Sequence, residues 1–255
     1  MASVHPPKPG LVRFRAVVAY DGTGFGGFQV QPGVRTIQDE LEKAVHTITR
    51  EPARIHPSGR TDTGVHAVGQ VIHFDIPPKL EPRRLMFALN AVLPDDVKVQ
   101  RLVRARPDFH ARFSATGKEY RYFIWNGPAT PPHLRLYRMH ESRPLDLAAM
   151  RAAAAALRGR HDFASFSANP RREVHGTERD LSRLDVTRRA GEIIIRAAAD
   201  GFLYKMVRSL AGFLWQVGLG AESPSAVPDL LAAAARNQRV PTAPACGLFL
   251  WKVDY

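Results

Sequence analysis

The order of the predicted secondary-structure elements repeats once along the chain, and this repeat limits the possible folds more than any other feature. Alternating apolar and polar residues, helical apolar spacing and turn residues mark the elements of the first half. In order, these are a strand at 11–20, a helix capped by Thr36 and Asp39, strands at 53–57 and 69–75, a helix from Pro82 and a strand at 97–103. The order βαββαβ is typical of a ferredoxin-like α+β domain.

The second half repeats this order less regularly. Its predicted elements are a strand at 117–125, a helix at 145–158, two strands joined by a turn at Ala190-Gly191, helices near 203–217 and 228–236, and a last strand at 248–253. Two consecutive split βαβ units predict two ferredoxin-like halves, with mainly antiparallel sheets, around a central cleft. We expect a flexible N-terminal arm at 1–10, an N-terminal half at 11–110 that carries the catalytic loop, and a C-terminal half at 111–255.

The charge balance indicates a polyanionic partner. The 255 residues include 36 lysines and arginines against 24 aspartates and glutamates, a formal net charge of +12. Such an excess is typical of proteins that bind nucleic acid. The only cysteine, Cys246, excludes an internal disulfide framework and a cysteine-rich zinc site, and it suits the reducing cytoplasm. No apolar run reaches the ~20 residues of a membrane helix, so we expect no membrane span.

The densest group of reactive residue types lies at 59–67, between two predicted strands. Gly59 and Gly64 permit φ angles above zero, so a tight loop would present Arg60 and Asp62. One interpretation is an ordinary turn with a solvated ion pair, because Asp and Gly are common turn residues. The other is a nucleophilic or general-base carboxylate, kept ionised by guanidinium groups that also attract phosphates. The residues alone favour neither interpretation.

Arg208 is the candidate partner of Asp62 from the second half. It lies in a predicted helix whose other residues, such as Met206 and Leu210, are largely apolar. An arginine that projects from a buried element requires an acid to compensate its charge, and Asp62 would serve. We therefore expect these two side chains to pair.

A basic segment interleaved with aromatic residues runs from Phe109 to Tyr122. Unpaired bases stack on aromatic rings, which contributes about 1–3 kcal/mol per base. The alternative is a half-buried strand whose tyrosines pack in the core. The candidate RNA-binding residues are Arg112 and Lys118 in this segment and Arg171 and Arg172 in the loop at 168–178.

Other classes of site lack their sequence signatures. In a dinucleotide site the helix begins directly after the glycine-rich segment, whereas the helix after residues 22–27 begins about ten residues later. No Walker-type Gly-Lys-Ser/Thr occurs. His66 and His73 lack a plausible third ligand, so we expect no metal. The triplet at 62–64 matches the aspartic-protease signature. Such proteases need two triplets, or a homodimer, and each triplet follows apolar residues. Here Arg60 and Thr61 precede the triplet, which does not fit that pattern.

Taken together, eight spaced blocks resemble the tRNA pseudouridine synthase A family, in order, from Val17 to Tyr255. The blocks are 20–23 with Phe25 and Gln29, 59–66 with Gln70 and 73–74, 88–90, 109–114, 118–122, 161–163, 206–208, and 242–245 with 247–248. The resemblance implies the pseudouridine-synthase fold and the isomerisation of uridine to pseudouridine at positions 38, 39 and 40 of the tRNA anticodon stem-loop. It also implies a homodimer that binds one tRNA through both subunits, without cofactor or metal.

The resemblance also implies a role for each candidate residue. Asp62 would be the nucleophile, attacking C6 of the uracil or C1′ of the ribose, and Arg208 would pair with it. Tyr120 would stack on the target base, and Arg60 would fill the space left by the flipped nucleotide, offsetting part of the few kcal/mol that extraction costs. The alternative function is a non-catalytic RNA-binding protein, which predicts identical behaviour of wild type and Asp62→Ala in every assay.

Overall fold

The computed structural model describes residues 5–172 and 176–255. The chain forms two compact units, one of Met1–Thr116 with Leu250–Tyr255 and one of Gly117–Phe249. The sequence-based division at 110/111 instead assigns the whole C-terminal strand to the second half. Both units combine α-helices with a mainly antiparallel sheet.

The first unit has the predicted element order. Its elements are β1 (Val12–Tyr20), α1 (Ile37–Thr49), β2 (His56–Pro57), β3 (His66–Ile76), α2 (Pro82–Val92) and β4 (Val97–Arg104). β1 lies between β3 and β4 and is antiparallel to both, and β2 is antiparallel to β3. The predicted strand at 53–57 is reduced to two residues, whereas β3 is longer than predicted.

The sequence explains these elements locally. Thr36 caps α1, because its hydroxyl accepts a hydrogen bond from the Asp39 N–H at 3.4 Å, as its position predicts. Arg50 ends the helix in the left-handed conformation, with φ 61°. Every second residue of β1 from Phe14 to Tyr20 is buried, and Phe14 stacks on Phe74 of β3 at 5.9 Å. The core of this unit therefore lies on one face of β1 and β3.

The second unit carries the remaining elements. They are β5 (Gly117–Trp125), β6 (Met139–His140), α3 (Leu147–Ala156), β7 (Gly159–Asp162), β8 (Glu178–Leu181), β9 (Arg183–Arg189), β10 (Glu192–Ala199), α4 (Met206–Gly218), α5 (Val227–Ala232) and β11 (Leu248–Asp254). Residues 250–254 of β11 belong to the first unit and lie beside β3. β10 lies between β5 and β9, antiparallel to both, and the predicted turn at Ala190-Gly191 is confirmed.

Three features of the second unit differ from the prediction. β7 and β8 form a separate antiparallel pair that the sequence pattern did not reveal, and β6 is a short parallel neighbour of β5. The helix predicted to extend to residue 236 ends at Ala232, and Ala234 has a positive φ of 44°, which is incompatible with a continuing helix.

Among the described residues, none of the helices has the length and apolar character that crossing a membrane requires.

The predicted N-terminal arm is tied to β1 where it is described. Arg13 donates a hydrogen bond from Nη2 to the carbonyl of His5 at 2.9 Å, and the Leu11 N–H donates to Lys8 at 3.0 Å. Residues 1–4 lie outside the described residues. The flexibility of the arm stays a prediction.

Candidate active site

Asp62 lies in the loop at 58–65, which connects β2 to β3. The Phe28 N–H donates to the Thr61 carbonyl at 3.0 Å, and the Val65 N–H donates to the Asp62 carbonyl at 3.1 Å. Gly64 has φ 75°, as the loop requires, whereas Gly59 is not among the described residues with positive φ. Of the two glycines that permit a positive φ, only Gly64 therefore uses it in this tight loop.

A second loop packs directly against the backbone of Asp62. Gly27 has φ 95°, and a Cβ atom placed on it would lie 2.9 Å from the Thr61 carbonyl oxygen and 3.3 Å from the Asp62 carbonyl carbon. A Cβ on Gly22 would lie 2.0 Å from the Val65 carbonyl oxygen. Because only glycine fits at these two positions, the segment after β1 supports the loop at van der Waals distance.

Four polar side chains form a hydrogen-bonded network beneath this loop. The Ser58 hydroxyl donates to Gln70 Oε1 at 2.8 Å, and Gln70 Nε2 donates to the Gly59 carbonyl at 2.8 Å and to the Tyr20 hydroxyl at 3.3 Å. The Tyr20 and Thr61 hydroxyls are 2.8 Å apart. All four side chains are buried, and burial raises the pKa of Tyr20 to about 12. Tyr20 therefore stays protonated at neutral pH.

The two candidate residues of the first unit share this loop. The Asp62 side chain is half-buried, and Arg60 is exposed two residues before it. A half-buried carboxylate is accessible to a ligand while its backbone is held from two sides. The loop thus combines a fixed backbone with a half-buried carboxylate, and its role as a site stays a prediction.

The second unit positions the other two candidate residues. Tyr120 lies on β5 opposite Ala197 of β10 and is 8% exposed, with the edge of Phe202 against its ring at 5.1 Å. Arg208 is half-buried in the first turn of α4, where its Nε donates to the Ala243 carbonyl at 2.8 Å. The Ala243 N–H returns a hydrogen bond to the Arg208 carbonyl at 3.0 Å. One segment thus holds both the backbone and the side chain of Arg208.

That segment, residues 241–246, is itself fixed to the second unit. A Cβ on Gly212 would lie 2.0 Å from the Pro241 carbonyl oxygen, so α4 packs closely on it. The Tyr122 hydroxyl donates to the Pro244 carbonyl at 2.9 Å. Tyr122 is completely buried, and burial raises the pKa of its hydroxyl, which therefore remains a donor. For Tyr122, the interpretation as a packed core residue is confirmed.

The candidate RNA-binding residues differ in exposure. Arg112 is exposed, and its guanidinium lies 5.7 Å from the ring centre of Phe113, which is itself 48% exposed. Lys118 is half-buried on β5, and Arg171 is exposed. The side chain of Arg172 lies outside the described residues. Arg112 and Phe113 together present a cation and an aromatic ring to solvent, a combination suited to an unpaired base.

The histidines group differently from the sequence expectation. His73 lies beside His56 and His110, with ring nitrogens within 4.8 Å of one another, whereas the sequence paired His73 with His66. Nδ1 of His73 accepts the Ala111 N–H at 3.1 Å, and Nδ1 of His110 accepts the Arg112 N–H at 3.1 Å. A neutral imidazole that accepts at Nδ1 carries its proton on Nε2 and has no lone pair left for a metal. Two of the three imidazoles, those of His73 and His110, thus use Nδ1 to accept backbone N–H groups.

Sequence reasoning missed the network beneath the loop. Gln70 and Tyr20 belong to the blocks that carry the family resemblance, but neither received a role. The available signal was a glutamine inside the apolar pattern of β3, because a buried amide requires hydrogen-bond partners.

Comparison with known proteins gives consistent matches over nearly the whole chain. Residues 16–114 and 153–255 match the sequence profile of a family described as tRNA pseudouridine synthase. "tRNA pseudouridine synthase A" of Bacillus subtilis (strain 168) is 47% identical over 246 residues, which cover 96% of this chain and 99% of the relative. The protein of the same name from Geobacillus kaustophilus (strain HTA426) is 43% identical over 244 residues, which cover 95% of this chain and 94% of that relative. A solved archaeal box H/ACA sRNP Nop10-Cbf5 complex matches 80% of this chain and 43% of that chain, with TM-score 0.33 and 12% identity, which is too weak a similarity for a comparison of folds.

Proposed function

Because the chain belongs to the tRNA pseudouridine synthase family, and is thus an isomerase that converts uridine to pseudouridine in tRNA, we propose that Asp62 is its nucleophile. We further propose that its targets are the uridines at positions 38, 39 and 40 of the anticodon stem-loop. The observation that carries the first proposal is the loop at 58–65, in which a half-buried carboxylate stands on a backbone held by hydrogen bonds and by Gly27. A nucleophile requires this combination of access and fixed position.

The reaction conserves the atoms of the substrate. The Asp62 carboxylate attacks C6 of the uracil or C1′ of the ribose, and the bond between N1 and C1′ breaks. The detached base turns, and a bond forms between C5 and C1′. The bond between the Asp62 carboxylate and the substrate breaks, by displacement at C1′ or by elimination from C6. The proton leaves C5, and N1 ends with a proton. Substrate and product are isomers, so the chemistry requires no external oxidant, reductant or cofactor.

In this proposal Arg208 orients the nucleophile. Its Nε is committed to the Ala243 carbonyl, so the two terminal nitrogens are the donors assigned to the carboxylate. A guanidinium held in this way offers two parallel N–H groups, which is the geometry of a bidentate contact. Its anchoring to residues 241–246 within the second unit supports this role.

Tyr120 and Arg60 are assigned to the substrate. Tyr120 stacks on the target base and assists removal of the proton from C5, and the edge contact with Phe202 favours a fixed ring. Arg60 is exposed on the same loop as Asp62, which suits insertion into the space of the flipped nucleotide. Arg112, Lys118, Arg171 and Arg172 are assigned to the phosphate backbone.

Three further features belong to the proposal. The fold is that of two ferredoxin-like halves around a cleft, supported by the βαββαβ order of the first unit. The protein acts as a homodimer in the cytoplasm, with one tRNA contacting both subunits. The net charge of +12 per chain favours such a shared polyanion, since two copies double the attraction.

The test combines turnover, binding and mapping. Purified wild type, Asp62→Ala and the control Asp95→Ala, whose carboxylate is fully exposed, are given tRNA labelled with tritium at C5 of uridine. We expect Asp62→Ala to lose tritium release by about 10⁴-fold or more, while its dissociation constant for tRNA changes by less than about threefold. Asp95→Ala keeps the wild-type rate.

Two results would contradict the proposal separately. Turnover by Asp62→Ala would remove this residue from the chemistry. Pseudouridine mapped outside positions 38 to 40, in tRNA treated with the wild-type enzyme, would refute the target assignment and leave the nucleophile unaffected.

A further inference from the structure

The polar network beneath the loop links four side chains by hydrogen bonds, and either hydroxyl can be the donor in its last link, between Tyr20 and Thr61. Gln70 Oε1 accepts from Ser58, and the two hydrogens of Gln70 Nε2 are used by the Gly59 carbonyl and the Tyr20 oxygen. The Tyr20 oxygen thus receives one hydrogen bond and keeps its own proton. That proton is available for the Thr61 oxygen at 2.8 Å. The network runs from Ser58 through Gln70 and Tyr20 to Thr61.

All four side chains of the network are buried, so their hydrogen bonds must be made within the protein. Ser58 and Gln70 are 0% exposed, Tyr20 is 4% exposed and Thr61 is 7% exposed. Removing one of these groups deprives its buried partner of a hydrogen bond, which is unfavourable in an apolar interior. Since the Tyr20 ring sits at the end of β1, opposite Ala67 at the start of β3, the network joins the loop to two paired strands.

The network ends on the residue next to the nucleophile. The Thr61 hydroxyl shares a hydrogen bond with the Tyr20 hydroxyl, and the Thr61 carbonyl accepts the Phe28 N–H. The backbone of Gly27 packs against the same carbonyl. We propose that the hydroxyls of Tyr20 and Thr61 are positioning groups for catalysis, which fix the backbone at Thr61 and thereby the place from which Asp62 attacks. This proposal rests on the proposed role of Asp62 as nucleophile.

A positioning role differs measurably from a purely structural one. A displacement of about 1 Å at a reacting atom lowers the rate by as much as about 100-fold, while substrate binding elsewhere is unaffected. A purely structural role lowers thermal stability and impairs binding and turnover together. The useful readout is therefore the split between the single-turnover rate and the dissociation constant for tRNA.

The chain offers a matched control for the loss of one buried threonine hydroxyl. Thr61→Val removes the hydroxyl and keeps the shape, whereas Thr61→Ser keeps the hydroxyl. Thr49→Val makes the same change in the same unit, at a threonine that is 8% exposed and donates to the Val45 carbonyl at 2.8 Å in α1. Tyr20→Phe removes the other hydroxyl of the pair and keeps the ring.

We expect Thr61→Val and Tyr20→Phe each to lower the single-turnover rate about 10- to 100-fold, with the dissociation constant for tRNA changed less than about threefold. Thr61→Ser restores most of the rate, and Thr49→Val keeps the wild-type rate even if it melts at a lower temperature. Because both hydroxyls serve one contact, the double variant Tyr20→Phe/Thr61→Val falls no further than the more impaired single variant. Circular dichroism establishes that each variant is folded.

The outcomes separate this proposal from the one on which it rests. Wild-type rates for both Thr61→Val and Tyr20→Phe, with Asp62→Ala inactive, overturn the positioning role and leave the nucleophile in place. An equal loss in Thr49→Val, or parallel losses of rate and affinity, likewise overturn it. Should Thr61→Val not fold, Tyr20→Phe and Thr61→Ser carry the same test. An active Asp62→Ala refutes the nucleophile itself.

Discussion

Acid should weaken the first unit through His73, the buried member of the histidine cluster. His73 is 3% exposed, and burial, followed by the neighbouring His110, His56 and Arg13, lowers its pKa to about 3. In the unfolded chain a histidine takes up its proton near pH 6.5. Below that pH the unfolded state binds more protons than the folded state, so the free energy of unfolding falls as the pH falls.

The size of the effect follows from linkage. One proton of difference between the two states changes the free energy of unfolding by about 1.4 kcal/mol per pH unit. Between pH 6.5 and 5.0, which lies above the folded pKa throughout, the unfolded histidine goes from half to almost fully protonated, so His73 alone should remove about 1.6 kcal/mol. Burial also lowers the pKa values of His56 and His110, aided by Arg54 and Arg112 respectively, so these two act in the same direction. Asp75 and Glu42 face His56 and oppose the shift only in part.

Urea unfolding of wild type and His73→Asn at pH 7.5, 6.5, 5.75 and 5.0 measures this effect. Asparagine carries an acceptor, Oδ1, in the place of Nδ1, which accepts the Ala111 N–H, but it takes up no proton. We expect the wild type to lose about 1.6 kcal/mol more than the variant between pH 6.5 and 5.0. The titration of carboxylates is common to both proteins and cancels in the difference. Parallel stability curves would refute the reasoning, because they would show that His73 is protonated in the folded protein.

Two further substitutions test the packing around the proposed site. Gly27→Ala adds a clash with the loop at 58–65 to an unfavourable φ, whereas in Gly33→Ala, with φ 71°, the new Cβ meets no heavy atom of the described residues within 4 Å. The positive φ alone should lower the stability of both variants by about 1–2 kcal/mol, and the clash should make the loss larger in Gly27→Ala. Only Gly27→Ala should also lose turnover, and equal activity of the two would contradict the packing argument. Arg208→Lys should lower the single-turnover rate more than tRNA affinity, because an ammonium cannot contact the Ala243 carbonyl and hold a carboxylate in a bidentate manner. Equal losses in rate and affinity would indicate that Arg208 mainly binds phosphate.

Local sequence patterns predicted most of the regular elements. The capped helix after Thr36, the helix from Pro82 and the hairpin around Ala190-Gly191 depend on residues close in sequence, which a single chain displays directly. The β7 and β8 pair was missed because its strands are 15 residues apart and contain mainly charged residues, without an apolar alternation. Their pairing is decided by tertiary contacts rather than by propensity.

The candidate site was predictable to a similar extent. Asp62 and Arg60 stood out because glycines and charged residues cluster there, and Arg208 because an arginine in a largely apolar helix requires an acid. The resemblance added the role of Tyr120, which lies in the basic segment rich in aromatic residues. The support of the loop could not be predicted, since it depends on which buried groups meet. The sequence does not show that the Tyr20 hydroxyl reaches Thr61, or that Gly27 approaches the Asp62 backbone.

The proposed nucleophile and its proposed partner are each held within their own unit. Thr61, beside Asp62, is fixed by Tyr20 and by the Phe28 N–H, and Arg208 is fixed by two hydrogen bonds with Ala243. A carboxylate is a weak nucleophile towards uracil or ribose, so much of its rate must come from correct placement before the substrate arrives. Groups held in position before the substrate binds require no reorganisation during the reaction. This lowers the free-energy barrier of the chemical step, so it raises the rate rather than the affinity for tRNA. Variants that loosen these supports should therefore still bind tRNA.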